Sequence, residues 1–147
     1  MPYIDSAYIK ARVDDTTLKN LTKERGGADA IDEAVIAAKI ADAQSIVDSK
    51  IAKRYTTPVT SPSDRLKQLT FDIALYNIYR IHKTHKMDEE VKFSYEQALR
   101  DLTRIEDGKS DLVGVSELTS SPNKVLAYVT TKTTDLKMSK SVLNNYR

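Results

Sequence analysis

The feature that most constrains the fold of this 147-residue chain is a series of apolar residues spaced by four and three between residues 29 and 55. At 3.6 residues per turn, this spacing places them on one face of a helix. The residues of this face are Ile36, Ile40, Ala43, Val47 and Ile51. Gly26-Gly27 precedes them, and Asp29, Asp32 and Glu33 supply cap and first-turn carboxylates suited to the positive end of a helix. The pattern predicts one long helix over residues 29–55, about 40 Å in length.

Further helices follow with the same apolar spacing. The stretch Ser61-Pro62-Ser63-Asp64 predicts a helix start, because it combines an N-cap hydroxyl with proline at the first helical position. The apolar face of this helix contains Leu66, Leu69, Ile73 and Tyr76. A third helix is predicted over residues 88–107, ended by Gly108, with Val91, Tyr95, Ala98, Leu102 and Ile105 on its apolar face. The spacing within it pairs Glu96 with Arg100 and Asp101 with Arg104. Two short helices are predicted over residues 6–13 and 15–24, with Leu18 and Leu21 directed inward. The sequence therefore predicts an all-α fold, a small helical bundle with one long helix.

The chain changes character after Gly114. Residues 115–147 are rich in serine and threonine and contain five Lys/Arg against two acidic residues, whereas residues 1–114 contain 18 against 19. The run from Val125 to Thr131 has the β-branched and aromatic content of a strand, but no second strand is predicted to pair with it. Either this run is disordered or it pairs with another protein by strand addition. We divide the chain into a helical body, residues 1–112, and an extended C-terminal arm, residues 113–147, which can form a strand with a partner.

The residues offer little for catalysis or metal binding. The absence of cysteine excludes disulfides and thiolate metal sites. His82 and His85 lie among lysines, where cations suit the negative end of a helix better than a metal site. No serine sits on a glycine-flanked turn after a strand. We expect no metal, no cofactor and no enzymatic activity.

Three aspartates, Asp42, Asp48 and Asp72, are the remaining candidates for acid–base chemistry. We expect Asp42 to be partly buried and matched by Arg54 or Arg65, which favours a structural ion pair over a catalytic carboxylate.

The sequence also bears on location. No apolar run approaches the roughly 20 residues that span a bilayer, and Met1-Pro2-Tyr3-Ile4-Asp5 lacks the basic and apolar regions of a signal peptide. We expect a protein made and used in the cytoplasm, with no membrane partner.

The order of these elements resembles the Mu-like phage family of virion neck proteins. The family pattern Ala-x-x-x-Ile-Asp-x-x-Ile-Ala-x-Arg-Tyr-x-x-Pro is matched by the segment from Ala43 to Pro58, with Val47 in place of the first Ile. The following Asp-Ile-Ala-x-Tyr pattern is matched by Asp72 to Tyr76. The resemblance covers about residues 3–112, and its motifs are helix-packing motifs without a catalytic group.

The family is similar to head–tail connector (adaptor) proteins, and this implies a structural protein of the virion neck, assembled in the host cytoplasm. It implies a ring of about twelve copies that binds the portal above and a stopper or tail-terminator protein below, with double-stranded DNA passing through non-specifically. By analogy, the C-terminal arm reaches the portal or a neighbouring subunit. The residues expected to bind there are Val125, Leu126, Tyr128, Val129, Leu136, Leu143 and Tyr146. Those expected to face DNA in the channel are Lys132, Lys137 and Lys140.

A second hypothesis belongs to another class of protein. A DNA-binding or regulatory helical protein would use the basic arm, or Arg80 with Lys83 and Lys86, on phosphates. A steep salt dependence of DNA binding by isolated subunits would favour it. The net charge of +2 gives it little support.

Overall fold

A computed structural model describes residues 1–23, 30–81 and 87–118. Five helices and no strand are found in these ranges, so the predicted all-α fold is confirmed for them. The helices are α1 (Ser6–Lys10), α2 (Asp15–Thr22), α3 (Glu33–Ile51), α4 (Asp64–Tyr79) and α5 (Glu89–Glu106). No helix of the described ranges is long and apolar enough to cross a membrane.

The helix α3 has the apolar face that was predicted. The five residues of the predicted face are the buried residues of this helix. The predicted bounds were too wide, because the helix has 19 residues and spans about 28 Å. It begins late because the Asp32 side chain accepts hydrogen bonds from the backbone N–H groups of Ala34 and Val35, which makes Asp32 the N-cap. Gly26-Gly27 lies outside the described residues.

The helix α4 begins two residues later than expected. Ser63, not Ser61, is the N-cap, and its hydroxyl accepts from the backbone N–H of Leu66 at 3.4 Å. The predicted inward residues Leu66, Leu69 and Ile73 are buried. Pro62 therefore precedes the cap instead of occupying the first helical position.

The helix α5 agrees with the sequence to within one residue at each end. Asp88 is its N-cap and Asp107 its C-cap, and Gly108 follows with φ +75°, a left-handed conformation that glycine adopts without strain. Ala98, Leu102 and Ile105 are buried as predicted. Tyr95 is only partly buried, and its ring stacks on that of Tyr76 with centroids 3.8 Å apart.

The three long helices pack on one another as a bundle, with α1 against α3 and α2 against α4. The helices α1 and α2 are shorter than expected. Leu18 and Leu21 of α2 are buried, which confirms their predicted inward orientation. Residues of all five helices meet in one core cluster. Fully burying a leucine or isoleucine contributes about 1.5–3 kcal/mol, so this core is the main source of stability. The division between body and arm at residue 112 stays a prediction.

Candidate functional site

The end of α3 carries a guanidinium that joins four groups from the end of α5 and the chain beyond it. Nη1 of Arg54 donates to the carbonyl oxygens of Ile105 (2.9 Å) and Ser110 (3.1 Å). Nη2 donates to Asp111 Oδ1 (2.8 Å) and Glu117 Oε1 (2.9 Å). Only arginine has donors in a rigid planar fork that can serve several acceptors at once. Arg54 therefore fixes the path of the chain after α5.

The local structure explains why Arg54 reaches this position. The backbone N–H groups of Arg54 and Tyr55 both donate to the carbonyl oxygen of Ile51 at 2.9 Å, so the chain turns directly after α3. A Cβ added at Gly108 would lie 3.8 Å from Arg54 Cζ, so the guanidinium lies over the turn that ends α5. A positive charge at this point also suits the negative end of that helix.

Electrostatics hold Arg54 in its charged form. The hydrogen bond to Asp111 is the main reason that the pKa of Arg54 is raised above its ordinary value, with burial acting in the opposite direction. The Arg54 side chain is 23% exposed, whereas its carboxylate partners are mostly exposed. Exposed ion pairs each contribute little to the free energy of unfolding. Their role here is to hold the chain after α5 in one position, because a single guanidinium contacts both carboxylates.

Tyr55 holds the same stretch of chain from the other side. Its side chain is buried, and its phenolic oxygen accepts from the backbone N–H of Leu112 at 2.9 Å. Its backbone forms an isolated antiparallel bridge with Glu117, and the N–H of Leu118 donates to the carbonyl oxygen of Arg54 at 2.8 Å. We call Arg54 and Tyr55 the arm anchor, because residues 111–118 lie against them.

A third motif residue ties the N-terminal segment to α3. The Tyr3 hydroxyl donates to Asp48 and accepts from the backbone N–H of Val59 at 2.9 Å. Burial, followed by the hydrogen bond to Asp48, raises the pKa of Tyr3 above its ordinary range. The Thr57–Pro58 peptide bond is cis. The polar residues Asp48, Arg54 and Tyr55 of this motif thus all contact distant parts of the chain.

The three candidate aspartates do not form one catalytic group. Asp42 is exposed and pairs with Lys39 at 2.9 Å, so the expected burial and the expected match with Arg54 or Arg65 were wrong. The reason is that Asp42 points away from the buried face of α3. Asp48 is bound to Tyr3.

Asp72 has the most perturbed carboxyl group of the described residues. Burial raises its pKa to about 6, opposed by a hydrogen bond of 3.0 Å from Gln68 Nε2. It lines a cavity of about 420 Å³ between the start of α2, α4 and the start of α5. Within the described ranges, no group of three or more His, Asp or Glu side chains is placed to hold a metal ion.

The predicted binding residues lie outside the described residues. This holds for the arm residues Val125, Leu126, Tyr128, Val129, Leu136, Leu143 and Tyr146, and for the lysines Lys132, Lys137 and Lys140. His82 and His85, for which no metal site was expected, also lie outside the described residues. From the sequence, Tyr55 was assigned only to helix packing, and Arg54 to helix packing or to an ion pair with Asp42. Their position just after a helix, before Pro58, was the signal that could have marked them.

These observations define a class, a small all-α protein in which one motif holds the chain segment that follows the last helix. The chain matches the family described as Bacteriophage Mu, Gp36, over residues 3–130, and it belongs to that family. It is also similar to "Gene product J" of Escherichia phage Mu, with 29% identity over 112 residues, which cover 76% of this chain and 77% of that protein. The family match contains the whole arm anchor and extends into the arm.

Proposed function

We propose that this chain is a structural virion protein, a head–tail connector (adaptor) that joins the portal to the tail or a stopper protein. Its helical bodies form a ring in the virion neck, through which double-stranded DNA passes. The arm of each copy binds the portal or a neighbouring subunit. The protein assembles in the host cytoplasm and catalyses no reaction.

The arm anchor is the observation that supports this function best. A connector must present a binding segment at a defined place on a rigid body, since ordering a free segment on binding costs affinity. Arg54 and Tyr55 hold the chain up to Glu117 with five side-chain hydrogen bonds, and the backbone N–H of Leu118 donates to the carbonyl oxygen of Arg54. The arm therefore begins from a fixed point at the end of α3.

The charges of the body fit the passage of DNA without sequence readout. Many cations of the described ranges are paired within the chain, as in Lys50 with Glu106 at 3.1 Å and Arg65 with Asp101 at 3.2 Å. Paired cations release few counterions on binding DNA, so they contribute little to affinity for phosphates. A channel wall needs this property, whereas a DNA-binding regulator needs free cations.

Two truncations test the function against the full chain, with binding to portal rings of the same phage as the readout. A chain ending at Leu118 keeps the partners of Arg54 and Tyr55 found in the described ranges, whereas one ending at Gly114 loses Glu117 and Leu118. We expect both to lose portal binding and the shorter one also to lose stability. Normal portal binding by the chain ending at Leu118 would contradict a binding role for the arm.

The same proteins test the DNA-binding alternative. For a connector we expect the full chain, as isolated subunits, to show negligible affinity for duplex DNA. Tight binding with a steep salt dependence, lost in the chain ending at Leu118, would favour the alternative instead.

A further inference from the structure

An open groove of about 940 Å³ runs along the solvent side of α3, between this helix and the N-terminal segment. Its floor is made of exposed small residues spaced at helical turns. They are Ala34, Ala37, Ala41 and Ser45. Small side chains let another backbone approach a helix closely, and alanine loses no side-chain entropy when it is covered. We call this the α3 groove.

Both ends of the α3 groove are acidic. Asp48 lies at the end near the arm anchor, and Asp5 and Glu33 lie at the other end. No lysine or arginine lines the groove, and Met1, which carries the α-ammonium group, is the one residue of its lining with a positive charge. Glu33 already pairs with Lys10, whereas the Asp5 carboxylate caps the backbone N–H of Tyr8. Glu33 and Asp48 are 15 helical steps apart, which separates the two ends by about 22 Å.

The arm contains a segment of matching length and charge. The apolar run from Val125 to Thr131 has seven residues and, when extended, spans about 23 Å. Lys124 stands immediately before it and Lys132 immediately after it. Residues 119–147 contain five Lys/Arg against the single acidic residue Asp135. The segment is thus apolar in its middle and positive at both ends, which complements a groove that is apolar in its middle and negative at both ends.

The arm also begins beside this groove. Leu118 is bonded to Arg54, which lies six residues beyond Asp48, about 9 Å along the direction of α3. Six residues lie between Leu118 and Val125, and the seven steps that join the two residues can reach up to about 23 Å. A segment tethered this closely has an effective concentration in the millimolar range, so its own groove is favoured over that of another molecule.

We propose that the α3 groove binds residues 125–131 of the chain's own arm. The segment lies extended and antiparallel to α3, with Lys124 toward Asp48 and Lys132 toward Asp5 and Glu33. Docking there covers the apolar side chains of the arm in the free subunit. This concerns the subunit before assembly and does not depend on the connector function.

Disulfide trapping in the full chain tests this directly, because the chain has no cysteine of its own. Ala41 is at the middle of the groove and Tyr128 at the middle of the run, so the variant carries Ala41→Cys with Tyr128→Cys. The matched control carries Ala38→Cys with Tyr128→Cys, since Ala38 is exposed on the same helix but does not line the groove. In dilute protein with a glutathione buffer, we expect the intramolecular disulfide to form about tenfold faster in the first variant.

Charge reversal provides an independent readout. In the Ala41→Cys, Tyr128→Cys background, Lys124→Glu with Lys132→Glu should slow trapping by about tenfold at low salt. Lys137→Glu with Lys140→Glu makes the same change in net charge outside the run and should slow it by less than about twofold.

Three outcomes would overturn the proposal. Equal trapping rates for the variants at Ala41 and Ala38 would mean that the arm has no preference for the groove. Disulfide-linked dimers as the main product would assign the groove to a second copy. Equal effects of the two charge reversals would mean that Lys124 and Lys132 do not bind the acidic ends of the groove specifically.

Discussion

The phenolic oxygen of Tyr55 accepts a hydrogen bond from the backbone N–H of Leu112 at 2.9 Å, and both residues are buried. This contact joins the end of α3 to the chain beyond α5, 57 residues later. Together with Arg54, it makes the segment leaving the bundle part of the packed body. The connector proposal depends on this arrangement, because the arm must begin from a defined point.

Replacing Tyr55 with phenylalanine should lower the free energy of unfolding by about 1–3 kcal/mol, because the buried N–H of Leu112 loses its acceptor. Urea unfolding of the full chain measures this. The matched control is Tyr8→Phe, because the Tyr8 hydroxyl has no hydrogen-bond partner in the described part of the chain and its ring is retained. An equal loss in both variants would mean that the hydroxyl of Tyr55 has no special role.

Replacing Arg54 with lysine should destabilise residues 111–118, because one ammonium group cannot reproduce four hydrogen bonds in a planar fork. We expect a loss of about 1–2 kcal/mol and faster amide hydrogen exchange at Leu118. The control is Arg104→Lys, at an exposed arginine on α5 whose side chain has no partner among the described residues. Unchanged exchange at Leu118 in the Arg54 variant would contradict the arm anchor.

The raised pKa of Asp72 predicts a dependence of stability on pH. Burial raises this pKa from 3.8 to about 6, so the folded state binds the proton more tightly than the unfolded chain does. The ionised carboxylate therefore destabilises the fold fully above pH 6, and this penalty disappears as the pH falls from 6 to 3.8. The shift corresponds to at most about 3 kcal/mol, less for a side chain in partial contact with water.

Asp72→Asn removes this penalty and should stabilise the protein above pH 6, with the gain shrinking toward pH 4. Thermal unfolding of both proteins across this range measures it. Asp42→Asn, at an exposed carboxylate on α3, is the control for a surface charge change. A gain at Asp72 that did not vary with pH would contradict burial of the ionised group.

Leu102→Asp should unfold the body, because it places an unpaired charge in the core. Ile40→Asp on α3 should do the same, since Ile40 is 3% exposed. Phe93→Asp is the control on α5, because Phe93 is 57% exposed and should change stability by less than about 0.5 kcal/mol. Circular dichroism measures the helix content of all three, and retained helix in the two core variants would mean that the assigned helix faces are wrong.

The periodicity of apolar residues predicted the buried face of each long helix, because the residues that pack in the core recur at the helical repeat. The five inward residues of α3 and the buried positions of α5 were recognised in this way. Helix ends were less predictable, because several residues before α3 and α4 could act as caps. Of the three acidic residues named before α3, Asp32 is the N-cap, and Ser63 is the N-cap of α4 in place of the expected Ser61.

The partners of the arm anchor could not be predicted, because they lie more than 50 residues away from Arg54 in the sequence. Charge spacing within one helix correctly paired Glu96 with Arg100, at 3.4 Å. It failed for Asp101, which was expected to pair with Arg104 and instead binds Arg65 on α4. Spacing along one helix shows which ion pairs are possible within that helix, but it does not show whether a charged side chain on another helix is the preferred partner.

The connector proposal is tested most directly by cryo-electron microscopy of the assembled phage particle. The density beneath the portal should show a closed ring of copies of the five-helix body, with each arm leaving beside Arg54 and contacting the portal or the next copy. A particle whose neck contains no copy of this body would contradict the proposal.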